Sequence, residues 1–190
     1  IEQIRVRGGG PLEGTIPVSG AKNSVLKLMA ATLLAEGTYH LHNVPRITDV
    51  DLMSDLLCAT GCSVARDGTT LRIDVPAEIE PVAPYEIVEQ FRASIVVMGP
   101  MLARCGEARV AMPGGDDFGP RPIDMHVRGL QELGAEFDTA HGYIHARSQN
   151  LQGARVLLEF PSVGATENLV MAAVRAKGTT VIDNAAREPE

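Results

Sequence analysis

Apolar residues along this chain switch repeatedly between a helical and a strand period, and glycine marks most of the switches. Residues 25–35 are apolar on most sides, which predicts a buried helix stopped near Gly37. Leu52, Met53, Leu56 and Leu57 form an i, i+3, i+4 stripe that opens on Thr48-Asp49-Val50-Asp51, the pattern of a capping box, and ends at Gly61. Residues 91–103 predict a second apolar helix, interrupted at Gly99-Pro100 and stopped near Gly106. Val127, Leu130 and Leu133 predict an amphipathic helix up to Gly134, and residues 168–176 predict a further helix stopped by Gly178. Strand patterning falls at 4–6 and 15–18, around Gly8-Gly9-Gly10-Pro11, and again at 39–44, 108–112 and 180–184. Two hairpins are expected, one over 63–73 turning at Asp67-Gly68 and one over 136–146 turning at His141-Gly142.

The order helix, strand, helix, hairpin therefore occurs twice. Gly37 to Gly106 spans 69 positions and Gly61 to Gly134 spans 73, so the two units share one period and constitute an internal repeat. A third unit opens at Pro161-Ser162-Val163-Gly164-Ala165-Thr166, and its second helix and hairpin are expected at about 188–215 by the same register. The sequence stops at Glu190, which predicts a fragment cut where the third unit is half built.

The repeat also aligns candidate chemistry. Fourteen positions before the helix-ending Gly37, Gly106 and Gly178 stand Asn23, Arg92 and Gly164. Lys22-Asn23, Arg92 and Ser162-Val163-Gly164 thus occupy equivalent points, each near the start of a buried helix. Exposed amide N–H groups and the positive end of the helix dipole favour anions there, and these side chains add donors. If the units pack about a pseudo-threefold axis, the three termini converge on a ligand with several phosphate or carboxylate groups. Residues 112–126 run Met-Pro-Gly-Gly-Asp-Asp-Phe-Gly-Pro-Arg-Pro-Ile-Asp-Met-His, a poor helix or strand but a suitable loop for acid chemistry beside an anion site.

Composition narrows the choice of partner. At 45% hydrophobic, 190 residues can bury a core, and no apolar run reaches the roughly 18 residues of a membrane span. A net charge of −7 with scattered Lys and Arg argues against nucleic acid or an anionic membrane as partner, and no Trp with only 4% aromatics argues against stacking platforms. Cys58, Cys62 and Cys105 lack metal-site or disulfide spacing and read as buried reduced thiols. His40, His42, His141 and His145 read as solvated surface, whereas His126 directly follows the Arg121 to Met125 run. A cytoplasmic protein is expected.

The segments Ser19-Gly20-Ala21-Lys22-Asn23-Ser24, Phe91-Arg92-Ala93-Ser94, Pro113-Gly114-Gly115 through Arg121-Pro122-Ile123-Asp124-Met125-His126, Ser162-Val163-Gly164-Ala165-Thr166 and Asn184-Ala185-Ala186-Arg187-Glu188-Pro189 together resemble the enolpyruvyl transferases, and among them the UDP-N-acetylglucosamine enolpyruvyl transferases. They run from end to end of the chain but correspond to only about the first half of a family member. The resemblance implies an α/β fold of two similar domains, each an inside-out barrel of three βαβαββ units, with the active site in the cleft between them. Residues 1–18 would then be a strand segment of the other, missing domain. Residues 19–190 would be one incomplete domain of units at about 19–76, 77–150 and 151–190.

The reaction it implies moves the enolpyruvyl group of phosphoenolpyruvate to the 3-hydroxyl of UDP-N-acetylglucosamine, without a cofactor or metal. Lys22 matches a catalytic position, and Lys22, Asn23 and Arg121 match the phosphoenolpyruvate contacts. Arg92, Arg121, Pro122, Ile123, Asp124, Met125, Ser162, Val163 and Gly164 match contacts to the sugar nucleotide. Asp49, at the start of its helix, reads as a cap, although the family often uses this carboxylate near the site. Most members carry, directly after the Gly-Gly pair, a Cys that donates the proton and is alkylated by fosfomycin; this chain has Asp116, as a minority does. A carboxyl near its ordinary value of about 3.9, against about 8.5 for a thiol, needs help to stay protonated near neutral pH. Adjacent Asp117 and exclusion of water would supply that help, and Arg121 would oppose it. A second departure is Phe160-Pro161, where many relatives have a Lys two residues before the Ser. The shikimate-pathway enolpyruvyl transferase, which usually has Lys-Ser where this chain has Lys22-Asn23, and a nucleotide-binding half-domain without catalysis are the alternative readings.

Overall fold

The computed structural model describes residues 3–112 and 123–189. Helix α1 (Lys22–Ala31) continues as a 3-10 turn over Thr32–Leu34, followed by β1 (Gly37–Leu41), α2 (Thr48–Ala59), β2 (Ser63–Asp67) and β3 (Thr70–Val75). A second set comprises β4 (Val82–Ala83), the short α3 (Tyr85–Val88), a 3-10 segment Arg92–Val97, α4 (Met98–Cys105), β5 (Glu107–Ala111), α5 (Asp124–Glu132), β6 (Glu136–Ala140) and β7 (Tyr143–Arg147). A third begins with β8 (Arg155–Leu157), α6 (Val163–Ala173) and β9 (Val181–Asp183).

The repeat is explicit in the sheets. The first has the order β1-β3-β2, and the second, β4-β5-β7-β6, contains the same antiparallel arrangement with β4 added in parallel beside β5. In the third, β8 lies parallel to β9, Arg155 opposite Val181, as β4 lies to β5. Strands β4 and β8 escape the sequence pattern because two or three residues cannot show a period; each exists only against its parallel partner.

Several local expectations are corrected. Residues 4–6 and 15–18 form no strand: Ile4, Val6, Ile16 and Val18 are 84–94% exposed, and alternation alone does not make a strand without a ladder partner. The capping box at Thr48 is absent, since α2 begins at Thr48 with Ile47 as its unbonded N-cap. The 91–103 helix breaks before Gly99-Pro100, at the passage from the 3-10 segment to α4. Pro100 then sits in the first turn of α4, where its missing N–H has no intrahelical partner to lose. The last helix runs Val163–Ala173 rather than over 168–176, and it stops short of Gly178. The first hairpin turns at Gly68-Thr69, one residue later than expected, with Asp67 opposite Thr70, whereas His141 and Gly142 turn the second with positive φ at both. Only Cys62 of the three cysteines is buried; Cys58 and Cys105 are exposed. His145 is partly covered and lies 3.7 Å from Asp138, while His40, His42 and His141 are exposed.

One core runs through all three units, with Leu26, Met29, Leu33, Met53, Leu57, Met98, Met101, Leu130 and Leu169 essentially inaccessible. Helix α6 packs against α4 and α5 at glycines: a Cβ on Gly99 would come within 2.4 Å of the Asn168 carbonyl, and one on Gly129 within 2.6 Å of Leu169. Units are also clasped by arginines. Arg104 of α4 donates to the carbonyls of Leu33, Pro76 and Ala77, and Arg175 to that of Leu34. Among the described residues no helix is long and apolar enough to cross a membrane.

Candidate functional site

Three helical segments from three units start around one cavity of about 660 Å³. Asn23 and Lys27 reach it from α1, Arg92, Ala93, Ile95 and Val96 from the 3-10 segment, and Ser162, Val163 and Gly164 from the start of α6. Met125 and His126 of α5, Phe160 and Pro161 before α6, and Glu188 complete its wall.

Each terminus is built locally. Gly20 precedes α1 so closely against the first unit's loop that its N–H donates to the Asn43 carbonyl at 3.0 Å, and a Cβ there would lie 2.2 Å from that oxygen. The Ser162 hydroxyl accepts the Ala165 N–H at 3.3 Å, capping α6 as a Ser at this position should. Thr166 accepts the Ala186 N–H at 3.0 Å, which draws the C-terminal segment over the first turn of α6 and brings Glu188 to the cavity.

Of the residues expected at the site, Asn23, Arg92, Met125, Ser162, Val163 and Gly164 meet in this cavity. Lys22 lies in an adjoining hollow of about 420 Å³ that shares Asn23 and Arg92, and its ammonium pairs with Asp49 at 2.8 Å. Asp49 is thus an ion-pair partner of Lys22 rather than a cap. Ile123 and Asp124 line neither space; Asp124 starts α5, 3.7 Å from Arg128. Asp116, Asp117, Arg121 and Pro122 fall outside the described residues.

Two features were not read from the pattern. Lys27 is 17% exposed and meets Glu167 of α6, 16% exposed, at 3.3 Å, so a mostly buried ion pair joins the first unit to the third at the cavity wall. A lone Lys inside an otherwise apolar helix was the available signal. His126 is buried, and its Nδ1 lies 3.0 Å from the Asn168 side-chain amide. Burial, reinforced by the Arg92 charge and opposed by Asp124, pushes its imidazole down to about 4 from the usual 6.5, so it is neutral at physiological pH.

A larger open groove of about 810 Å³ lies at the other end of the helices, between Cys105–Glu107, Gly134, Glu136 and Arg147–Asn150. It faces the C-terminal ends of α4 and α5, where the dipoles are negative, and there Glu107 and Glu136 outnumber Arg147. The smaller cavity, with helix starts and with Lys27 and Arg92 against Glu188, is the one suited to an anionic ligand.

Residues 6–190 match the family described as EPSP synthase (3-phosphoshikimate 1-carboxyvinyltransferase). A protein of Corynebacterium efficiens named UDP-N-acetylglucosamine 1-carboxyvinyltransferase is 56% identical over 189 residues, covering 100% of this chain and 45% of that protein. Proteins of the same name from Mycobacterium tuberculosis, 56% identical, and Oleidesulfovibrio alaskensis, 47% identical, show the same coverage. The chain therefore spans about half the length of the curated relatives it matches. Among solved structures, the enolpyruvyl transferase NikO from Streptomyces tendae aligns with a TM-score of 0.78 at 22% identity, covering 92% of this chain and 41% of that one. EPSP synthase from Acinetobacter baumannii aligns with a TM-score of 0.70 at 20% identity, covering 93% and 40%. With the fold shared and nearly the whole chain matched, the chain belongs to the EPSP synthase family of carboxyvinyl, or enolpyruvyl, transferases.

Proposed function

We propose that this chain is the sugar-nucleotide-binding half of a UDP-N-acetylglucosamine 1-carboxyvinyltransferase, acting in the cytoplasm at the first committed step of peptidoglycan synthesis. The observation that carries the reading is the convergence of three helical starts, with Asn23, Arg92 and Ser162–Gly164, on one cavity. Such a cavity suits the diphosphate of a nucleotide sugar: helical starts, whose first N–H groups have no intrahelical partner, border it, and Arg92 adds a planar donor set. The identity of 47–56% to proteins bearing that name supports this substrate over a shikimate derivative.

In this reading Lys22 and Asn23, with Arg121, hold phosphoenolpyruvate, while Arg92, Arg121, Pro122, Ile123, Asp124, Met125, Ser162, Val163 and Gly164 hold the nucleotide sugar. A proton is added to the methylene carbon of phosphoenolpyruvate and the sugar 3-oxygen bonds to the adjacent carbon, losing its own proton. The tetrahedral adduct then expels phosphate as a proton leaves the methyl carbon, which restores the double bond. Asp116 is the proton donor. The remaining acid–base groups and the opposite wall of the cleft belong to the half of the enzyme that this chain does not span, so the chain alone binds without turnover. The exposed apolar side chains of residues 4–18 support their assignment as a segment that packs on that half.

Calorimetric titration with UDP-N-acetylglucosamine tests the reading. Saturable binding that weakens at least about tenfold in Arg92→Ala is expected, since one charge-assisted hydrogen bond contributes about 1.5–3 kcal/mol. Binding indifferent to Arg92→Ala would overturn the placement. Failure of the chain, joined to the remaining half, to release phosphate from phosphoenolpyruvate plus this sugar would overturn the activity.

A further inference from the structure

One buried carboxamide joins the second unit to the third. Asn168, fully inaccessible in the middle of α6, has three partners from three elements. Its Oδ1 accepts the Gly99 N–H of α4 at 2.6 Å, its Nδ2 donates to the Ile95 carbonyl of the 3-10 segment at 3.1 Å, and its Nδ2 lies 3.0 Å from His126 Nδ1 of α5. The first two bonds determine which end of the amide is which: a backbone N–H can only be met by oxygen, and a carbonyl only by nitrogen. The second hydrogen of Nδ2 is therefore directed at His126 Nδ1, which must be a bare acceptor. A neutral imidazole with a bare Nδ1 carries its hydrogen on Nε2. That edge of the ring faces the start of α6, where a Cβ built on Gly164 would lie 3.4 Å from Cε1 and 3.5 Å from Nε2, and His126 lines the cavity.

We infer that Asn168 is a positioning residue: without reaching the cavity, it holds His126 in the Nε2–H tautomer and so presents one further donor beside Gly164 to an acceptor group of the ligand. This rests on the cavity being the ligand site proposed above. The ring is surrounded by Arg92 on the 3-10 segment and Asp124 on its own helix, with Lys27, Glu167 and Glu188 the other charged groups at or behind the cavity wall. Lacking an acceptor on Nε2, His126 discriminates against a ligand cation and in favour of a phosphate or carbonyl oxygen. Gly164 keeps the path to Nε2 open.

Long-range ¹H–¹⁵N correlation spectra of the chain with ¹⁵N-histidine, with His126 assigned by its loss in His126→Gln, read the tautomer directly. The expected spectrum has a bare Nδ1 and a protonated Nε2 at pH 7, and addition of UDP-N-acetylglucosamine shifts Nε2. Asn168→Asp offers only acceptors and is expected to move the proton to Nδ1, with about tenfold weaker binding of the sugar nucleotide. Gly164→Ala, whose methyl group meets the ring at ordinary contact distance, is expected to keep the tautomer and weaken binding, and it stands in if Asn168→Asp does not fold. A protonated Nδ1 in the native chain, or an unchanged tautomer in folded Asn168→Asp, overturns the inference. So does a ligand that shifts the amides of residues 163–165 while Nε2 stays still. Silence of both those amides and Nε2 at millimolar ligand, with the expected tautomer in place, overturns the proposed function instead.

Discussion

Replacing Gly99 and Gly129 in turn by Ala applies one perturbation, a single methyl group, to two helix contacts of different kinds. At Gly129 the added carbon would meet Leu169 Cδ1 at 2.6 Å, Cδ2 at 2.7 Å and Cγ at 3.1 Å, against an ordinary contact of about 3.5–4.0 Å. Those atoms are a side chain that can turn. Overpacking a core costs about 1–3 kcal/mol, and Ala in place of Gly in a helix returns about 1 kcal/mol, so the net loss is about 1 kcal/mol. At Gly99 the obstacle is the Asn168 carbonyl oxygen, at 2.4 Å, together with its Oδ1 at the same distance. Backbone cannot turn aside, so α4 must move from α6 by about 1 Å to restore ordinary contact. The Gly99 to Oδ1 hydrogen bond breaks, and the Asn168 bond to Ile95 weakens with it. Each buried group left unpaired costs about 1–3 kcal/mol; the two ends of the broken bond and the weakened one together lose about 5 kcal/mol, and with about 1 kcal/mol returned by Ala in the helix the net loss is near 4 kcal/mol, a large fraction of a typical domain's stability of about 5–15 kcal/mol. Thermal unfolding followed by circular dichroism should place Gly129→Ala about 3 °C and Gly99→Ala about 12 °C below the native midpoint. A Gly99→Ala variant within 1 kcal/mol of native stability, or one less destabilised than Gly129→Ala, would refute the account of α6 as a helix seated on glycines.

Acidification should destabilise the chain through His126, whose folded value of about 4 lies below the unfolded 6.5. Between those values the unfolded chain binds the proton and the folded chain does not, so stability is intact above 6.5 and falls by up to about 3 kcal/mol on going to pH 4; urea titrations across that window should show a slope that His126→Gln removes. Arg104→Ala is expected to cost about 2 kcal/mol, because one guanidinium serves the carbonyls of Leu33, Pro76 and Ala77; an unchanged urea midpoint would count against that clasp. Asp49→Asn should change stability by no more than about 0.5 kcal/mol, since Lys22 is 54% exposed and the pair is screened by salt; a loss above 1 kcal/mol in 0.5 M salt would contradict this. If Asp116 is the proton donor as proposed, fosfomycin should produce no covalent adduct on residues 113–122 of the intact enzyme by mass spectrometry, and an adduct there would remove Asp116 from the proposed mechanism.

Much of the architecture is local and was readable from the chain. Gly61, Gly106 and Gly134 end helices with φ between 76° and 95°, a backbone region that side chains oppose, so glycine announces these three stops. The hairpin at His141-Gly142 and the stripe of Leu52, Met53, Leu56 and Leu57 likewise depend on neighbours within a few residues. Because the units repeat, their register even aligned Asn23, Arg92 and Gly164, which the tertiary structure gathers at one cavity. Packing between units decided the rest. Residues 15–18 alternate like a strand yet find no ladder, while Val82–Ala83, too short to signal anything, becomes β4 beside β5. The partnership of Lys27 with Glu167 spans 140 positions, and that of His126 with Asn168 spans 42. Local conformation follows from covalent neighbours and is written in short windows; a buried charge or amide is tolerable only where a distant unit supplies its partner, and that is a property of the assembled core.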